Sequence, residues 1–456
     1  MSDRFKKYED DEVRETVLAY EAVRASGGSR YFDIDEMEIV IDYYLDQNDI
    51  EHLDEAVRYA EQLFPDASSI RLRRVHLLCA KGLYERALPI LKALQREEPD
   101  NGDVHYAFGV IYGAMSQPQQ AIRHYLLAAK DKYALDVIYG NIGDEYRNLL
   151  NDAEAIKYYK KALAINYKEE RSIRNLCFTY DQFNRLEEGE AFFSAFVKNH
   201  PYSCSGWYAL ALMYTFLMLY EKAIDAAEFA LAVDKTFFDA YVCISNCYAE
   251  MHEPGKAATA MLDALPYTDS PEDVYYTIGT IYLDNNNISA AIIYFQKALD
   301  EDPYYSDALR GMASCCSRMG DTHTAIQYME RAITIMPNIP QYHFDAAHYY
   351  DQDGNFEDAE AHFQKVIDLD NTEDLYWTDY AIFLFYHQKY SEAIDLLQSG
   401  YDSALSPDKF DIVLAACYFR KGDLQSFRNI VMRHKDVTDK WVAYLVELCP
   451  ESADAI

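Results

Sequence analysis

Residues 204–237 read CSGWYALALMYTFLMLYEKAIDAAEFALAVDKTF. Apolar side chains recur there at i, i+3, i+4 and i+7, twice over, the pattern of two amphipathic helices. Small residues sit at Ala211, Ala223 and Ala230, with Tyr214 between the first two. Steps of 34 residues from Ala223 meet Gly189, Ala155, Ala121 and Ala87 in one direction, and Ala257, Ala291, Ala325, Ala359 and Ala393 in the other. The same step from Tyr214 meets Tyr180, Tyr146 and Tyr112, then Tyr248, Tyr282, Cys316 and Tyr350. A third ladder, three residues earlier, holds Gly109, Gly143, Cys177, Ala211, Ser245, Gly279 and Ala313. A fixed period of this length is the mark of a repeat architecture.

The residue types follow from packing. Two helices cross closely only where Gly, Ala or Ser stands at the crossing. The tyrosine fills the gap between one unit and the next. Pro65, Pro99, Pro201, Pro303 and Pro337 close units by ending a helix or opening a turn. Length alone allows about three domains or one long array, and the unbroken register selects the array.

The pattern resembles the tetratricopeptide repeat. Trp207, Leu210, Ala211, Tyr214, Ala223 and Ala230 stand in that family's signature places, as do Gly279, Tyr282, Ala291, Phe295, Ala298 and Pro303. Twelve tandem units are expected over residues 34–441, beginning at 34, 68, 102, 136, 170, 204, 238, 272, 306, 340, 374 and 408. The first and last are degenerate, with Leu53 and Phe427 in place of the small residue. Residues 1–33 are expected to hold a capping helix, near Asp11 to Ala25, ended by Gly27 and Gly28. A final helix is expected over Thr438 to Leu448, so that 442–456 is its end followed by a loose tail from Pro450. The expected fold is all-α, a helix-turn-helix solenoid; the resemblance implies a right-handed superhelix with a concave and a convex face.

Composition narrows the function. Asp plus Glu number 76 against 42 Lys plus Arg, a formal net charge of -34. Such a chain repels phosphate backbones and anionic membrane surfaces, so neither nucleic acid nor membrane is an expected partner. A basic protein or peptide is the natural complement. The apolar run Trp207 to Tyr220 is shorter than the about 20 residues a spanning helix needs. The N-terminal residues show no apolar signal core, and nine cysteines without disulfide spacing suit a reducing compartment. A cytoplasmic protein is expected.

The search for chemistry yields no catalytic, cofactor or metal residue to nominate. Phosphate-binding glycine loops and H-E-x-x-H are absent from the sequence. Cys243 and Cys247 are four apart, a metal-compatible spacing, but no second pair lies at finger distance and both fall on packing positions. His343 and His348 do not share a helical face well. His76 and His348 fall on the groove-facing side.

Recognition remains. The resemblance implies that the second, fifth, sixth, ninth, twelfth and thirteenth residues of each unit's first helix face the concave groove. Two candidate surfaces emerge on that basis. One is polar: Asn141, Arg147, Asn148, Arg171, Arg174 and Asn175, either a clamp for an extended peptide or a solvated network with Asp144 and Asp181. Relatives that hold chaperone tails use Lys and Asn in the preceding unit, where Tyr106 and Val110 stand here, which speaks against a tail carboxylate. The other surface is apolar. Tyr208, Leu212 and Phe216, from a helix expected over Trp207–Tyr220, join Ile382, Phe385 and Tyr386, whose purpose is a partner segment, a homodimer or internal packing. Elsewhere the groove reads acidic, with Asp35, Glu38, Asp42 and Asp46 in the first unit and Asp239, Asp273, Asp307, Asp345 and Asp379 further on. The expectation is a non-enzymatic scaffold or adaptor. Its rivals are a peptide-sensing regulator that changes superhelical pitch and, less favoured, an enzyme subunit with a cryptic site.

Overall fold

The computed structural model describes residues 11–26, 30–401, 407–434 and 439–455. Among them there are helices and turns and no strand. The chain divides into an N-terminal block, Met1–Met251, and a C-terminal block, His252–Ile456.

In the N-terminal block, a leading helix Asp11–Ser26 precedes helix pairs whose first members open at Ile34, Ser68, Gly102, Leu135, Glu170 and Cys204, and helix Phe238–Glu250 closes the block. In the C-terminal block they open at Pro271, Ser306, Pro340, Asp374 and Pro407, and helix Asp439–Leu448 follows. Within each block a pair packs on the next, and the first helices of successive pairs approach one another more closely than the second helices do. That inequality bends each stack and puts the first helices on its concave side.

Local chemistry repeats with the period. Just past each first helix, one or two residues after its end, the chain adopts the left-handed conformation at Asn48, Gly82, Ser116, Leu150, Asn184, Met218, His252, Asn286, Gly320, Gly354, Gln388 and Gly422. The following residue caps the second helix. Asp49, Asn151, Asn287, Asp321, Asn355 and Asp423 each accept a backbone N–H two or three residues into that helix. Asp33 and Glu36 close a capping box on helix Ile34–Asp46, at 2.8 and 3.0 Å.

The small-residue ladder has a specific occupant. A Cβ on Gly109 would lie 2.5 Å from the Tyr125 ring, on Gly143 2.6 Å from Tyr159, and on Gly279 2.6 Å from Phe295. The ring from the second helix lies flat on bare backbone of the first, and the two helices close around it. A further tie was not legible in the pattern. In five units the fourth residue is a ring whose polar edge donates to the carbonyl six residues earlier. His105 reaches Pro99, Trp207 reaches Pro201, Tyr241 reaches Lys235, His343 reaches Pro337 and Trp377 reaches Asn371, at 2.9–3.1 Å.

Two expectations change. Trp207 to Tyr220 is not one helix: helix Cys204–Phe216 ends before Met218, whose φ of 57° breaks it, and the next begins at Tyr220. The tail from Pro450 is not loose. It winds into a 3-10 helix, Pro450–Ala455, because Ser452 is buried and its hydroxyl donates to the Cys449 carbonyl at 2.7 Å. Gly27, Gly28 and Thr438 lie outside the described residues.

Candidate functional site

The concave side of the N-terminal block carries two adjoining cavities. The larger, about 550 Å³, is walled by the first helices that open at Ile34, Ser68, Gly102 and Leu135. Its floor is apolar, with Leu45, Ala107, Val110, Val137 and Ile138. Cys79 joins that wall as a neutral thiol, since burial pushes its pKa up to about 11. The smaller cavity, about 230 Å³, is polar and contains Glu38, Asp42, Glu98 and Asp103 around Arg73. Asp42, His76, Asp103 and Tyr106 line both cavities.

The charges there are unequally engaged. The Arg73 guanidinium donates to both oxygens of Asp42, at 3.0 and 2.7 Å, and lies 3.1 Å from Glu38. Glu98 accepts from the Asn101 amide at 2.6 Å, and hydrogen bonds from Asn101 and Ser68 hold its carboxyl below the usual range. Asp131 accepts from the Gly102 N–H at 2.7 Å. The exposed Asp103 carboxylate has no hydrogen bond or ion pair among the described residues. Asp103 was not among the residues singled out from sequence. The second position of the unit at 102 points to it, as it did to Arg171 in a later unit.

The polar candidates meet, but largely to satisfy one another. Asp144 is their centre: it accepts from Tyr159 Oη at 2.6 Å, from the Asn175 amide at 2.7 Å, and from Arg171. Asn141 is only 6% exposed; it donates to Tyr106 Oη at 3.3 Å and accepts from Arg171 at 2.9 Å. Burial and Asp144 act on Arg171 in opposite directions, and its pKa is raised on balance. Asn148 faces Glu145 at 3.4 Å. Arg147 is half-buried and Arg174 exposed, and neither has a hydrogen bond or ion pair among the described residues.

The apolar candidates divide. Tyr208, Leu212 and Phe216 are half-buried, and Tyr208 meets Phe237 edge-on at 5.3 Å. Ile382 and Tyr386 line a groove of about 410 Å³ with Ile412, Tyr444 and Leu448, and Tyr386 is 64% exposed. Phe385 does not join them. It is 4% exposed and packs on Tyr390 at 5.5 Å. At the twelfth position of another unit, Thr215 turns toward the following pair, lying 3.7 and 3.5 Å from the thiols of Cys243 and Cys247.

Much of the expected acidity is also tied down. Asp273 accepts from Tyr305 at 2.6 Å, Asp307 from Tyr342 at 2.8 Å, and Asp345 from Arg310 at 2.6 Å. Cys243 and Cys247 are buried, and no group of three or more His, Cys, Asp or Glu suited to a metal occurs among the described residues. His343 pairs with His362, Nδ1 to Nδ1 at 2.9 Å, rather than with His348. Among the described residues, no helix is long and apolar enough to cross a membrane.

Tetratricopeptide-repeat family models match residues 137–169, 272–305 and 340–373, and another matches 308–340. The chain is 24% identical over 136 residues to anaphase-promoting complex subunit 3 of Schizosaccharomyces pombe, covering 30% of this chain and 20% of that protein. It is 22% identical over 254 residues to the human protein O-mannosyl-transferase TMTC3, covering 51% and 27%. The chain thus spans a fifth to about a quarter of the length of these relatives. A crystal structure of the APC/C hetero-tetramer Cut9-Hcn1 superposes over 91% of this chain and 95% of its own, at 14% identity and a TM-score of 0.37. Repeat matches at four places, on the register that the helix pairs keep in both blocks, make this chain a tetratricopeptide-repeat protein.

Proposed function

We propose that the chain is a non-enzymatic interaction scaffold that holds a segment of another protein on the concave side of its N-terminal block. The observation that carries this reading is the pair of cavities meeting at Asp103 and Tyr106. Together they offer an apolar floor beside a polar wall, the combination that peptide grooves use for energy and for register. The larger volume lies within the range of about 300–1,000 Å³ typical of ligand sites. The polar cluster around Asp144 supports the groove from behind, since Asn141 holds the Tyr106 hydroxyl in place.

A photo-crosslinking residue at position 106 should capture a partner, and the same residue at the exposed Phe229 should not. Val110→Trp, which fills the floor, should abolish capture while leaving the melting temperature near that of the parent. Undiminished capture by Val110→Trp would refute the assignment of this groove.

A further inference from the structure

We infer that this groove takes an extended peptide in which an apolar residue lies one or two positions from a lysine or arginine, the apolar side chain in the larger cavity and the cation against Asp103. The inference rests on the proposed use of the groove and names the chemistry of what enters it.

Charge settles the sign of the ligand. Four carboxylates and one guanidinium line the smaller cavity, and that guanidinium is held by two of the four. Glu98 stays ionised because its hydrogen bonds stabilise the anion. Asp103 remains, unpaired and placed where the cavities join. A phosphate or carboxylate entering there would meet net negative charge at short range, which costs free energy. A lysine or arginine head would find an acceptor and leave no buried donor behind.

Shape settles the spacing. The larger cavity carries Asp42, Asp46, Asp103 and Asp131 on its walls, with Asp42 held by Arg73 and Asp131 by the Gly102 N–H, while its floor of valine, isoleucine, leucine and alanine, beside a thiol held neutral, suits an apolar side chain. Adjacent residues of an extended chain advance about 3.3 Å and point to opposite sides, and alternate ones share a side about 7 Å apart. Cavities with shared walls are therefore filled by neighbours in sequence. Tyr106 stands at the seam, able to lie along the stem of the basic residue.

The test is fluorescence anisotropy with the full chain and three labelled twelve-residue peptides. One carries leucine–arginine pairs spaced by glycine and serine, the second leucine–glutamate pairs, the third serine–arginine pairs. The first should bind at least about tenfold more tightly than either other, because each control lacks one of the two contacts. Its affinity should fall several-fold between 50 and 300 mM salt, where screening shortens to within about 6–14 Å. Asp103→Asn should weaken it about tenfold and Asp103→Glu should restore it. Asp103 is exposed and unpaired, so both variants should keep the parent's melting temperature. Equal binding of the leucine–glutamate peptide, or full affinity in Asp103→Asn, overturns the inference. If the arginine peptide fails while Val110→Trp still abolishes partner capture, the groove stands and the cationic class falls. If Val110→Trp leaves capture intact, the groove itself is wrong.

Discussion

At the scale of the residue, burial and partners divide side chains that sequence position alone makes equal. Phe385 and Tyr386 are adjacent aromatics on one helix, yet one is core and the other is surface. Phe385→Ala should destabilise by about 3–5 kcal/mol, and Tyr386→Ala by no more than about 0.5 kcal/mol; urea unfolding of the two variants checks the assignment. Leu150 and Met218 hold left-handed backbone at 70% and 74% exposure, with no packing to compensate. Replacing either with glycine should stabilise by about 0.5–1 kcal/mol, read as a higher melting temperature. His105 shows how a partner determines a tautomer. Its Nε2 faces the Pro99 carbonyl at 3.0 Å and so carries a proton, which leaves its Nδ1 to accept from His124 at 3.1 Å. Burial first, then the neighbouring His105 and Arg123, lower the His124 pKa to about 4. The unfolded chain therefore takes up this proton first, and acid favours unfolding between pH 6.5 and about 4. The stability is complete above pH 6.5 and is lost as pH falls through that window. His124→Gln, which keeps a donor without titrating, should flatten that part of a pH series of urea melts.

At the scale of the element, the period was the legible signal. The starts of the helix pairs, the small-residue crossings and the aromatic ladder could all be read because each repeats a residue type at one spacing. What escaped reading depends on direction rather than type. Nothing in the letters says that Phe385, at a twelfth position, turns into the core against Tyr390 of its own pair, and so it reads as a groove residue. Nor does the spacing show that Arg171 and Asn175 spend hydrogen bonds on the Asp144 carboxylate, or that Asn141 accepts from Arg171. The all-apolar run around Trp207 concealed a helix end because Met218, in left-handed backbone, is neither glycine nor asparagine. Overfilling a crossing tests the register directly. Gly143→Ala would meet the Tyr159 ring, and Ala223→Leu would overfill a fully buried site. Each should cost about 1–3 kcal/mol with helix content unchanged at low temperature. A melting temperature equal to the parent's would mean that the crossing is elsewhere.

At the scale of the whole molecule, a net charge of -34 acts on folding and on binding with opposite dependence on salt. Self-repulsion weakens the compact state, so added salt should raise the melting temperature, while it weakens capture of a basic segment. Measuring both on one titration separates screening within the chain from screening of a ligand. The ring that donates back across six residues has a consequence for building with these units. That bond spans the junction between one repeat and the next, so a splice at the junction severs it, whereas a splice at the left-handed residue between the two helices keeps donor and carbonyl in one piece. Modules lifted from this chain for grafting should run from one left-handed turn to the next, Gly82 to Ser116 or Asn184 to Met218, each carrying its own latch. Those cut at the proline-marked boundaries would arrive with a ring donor and no carbonyl to receive it.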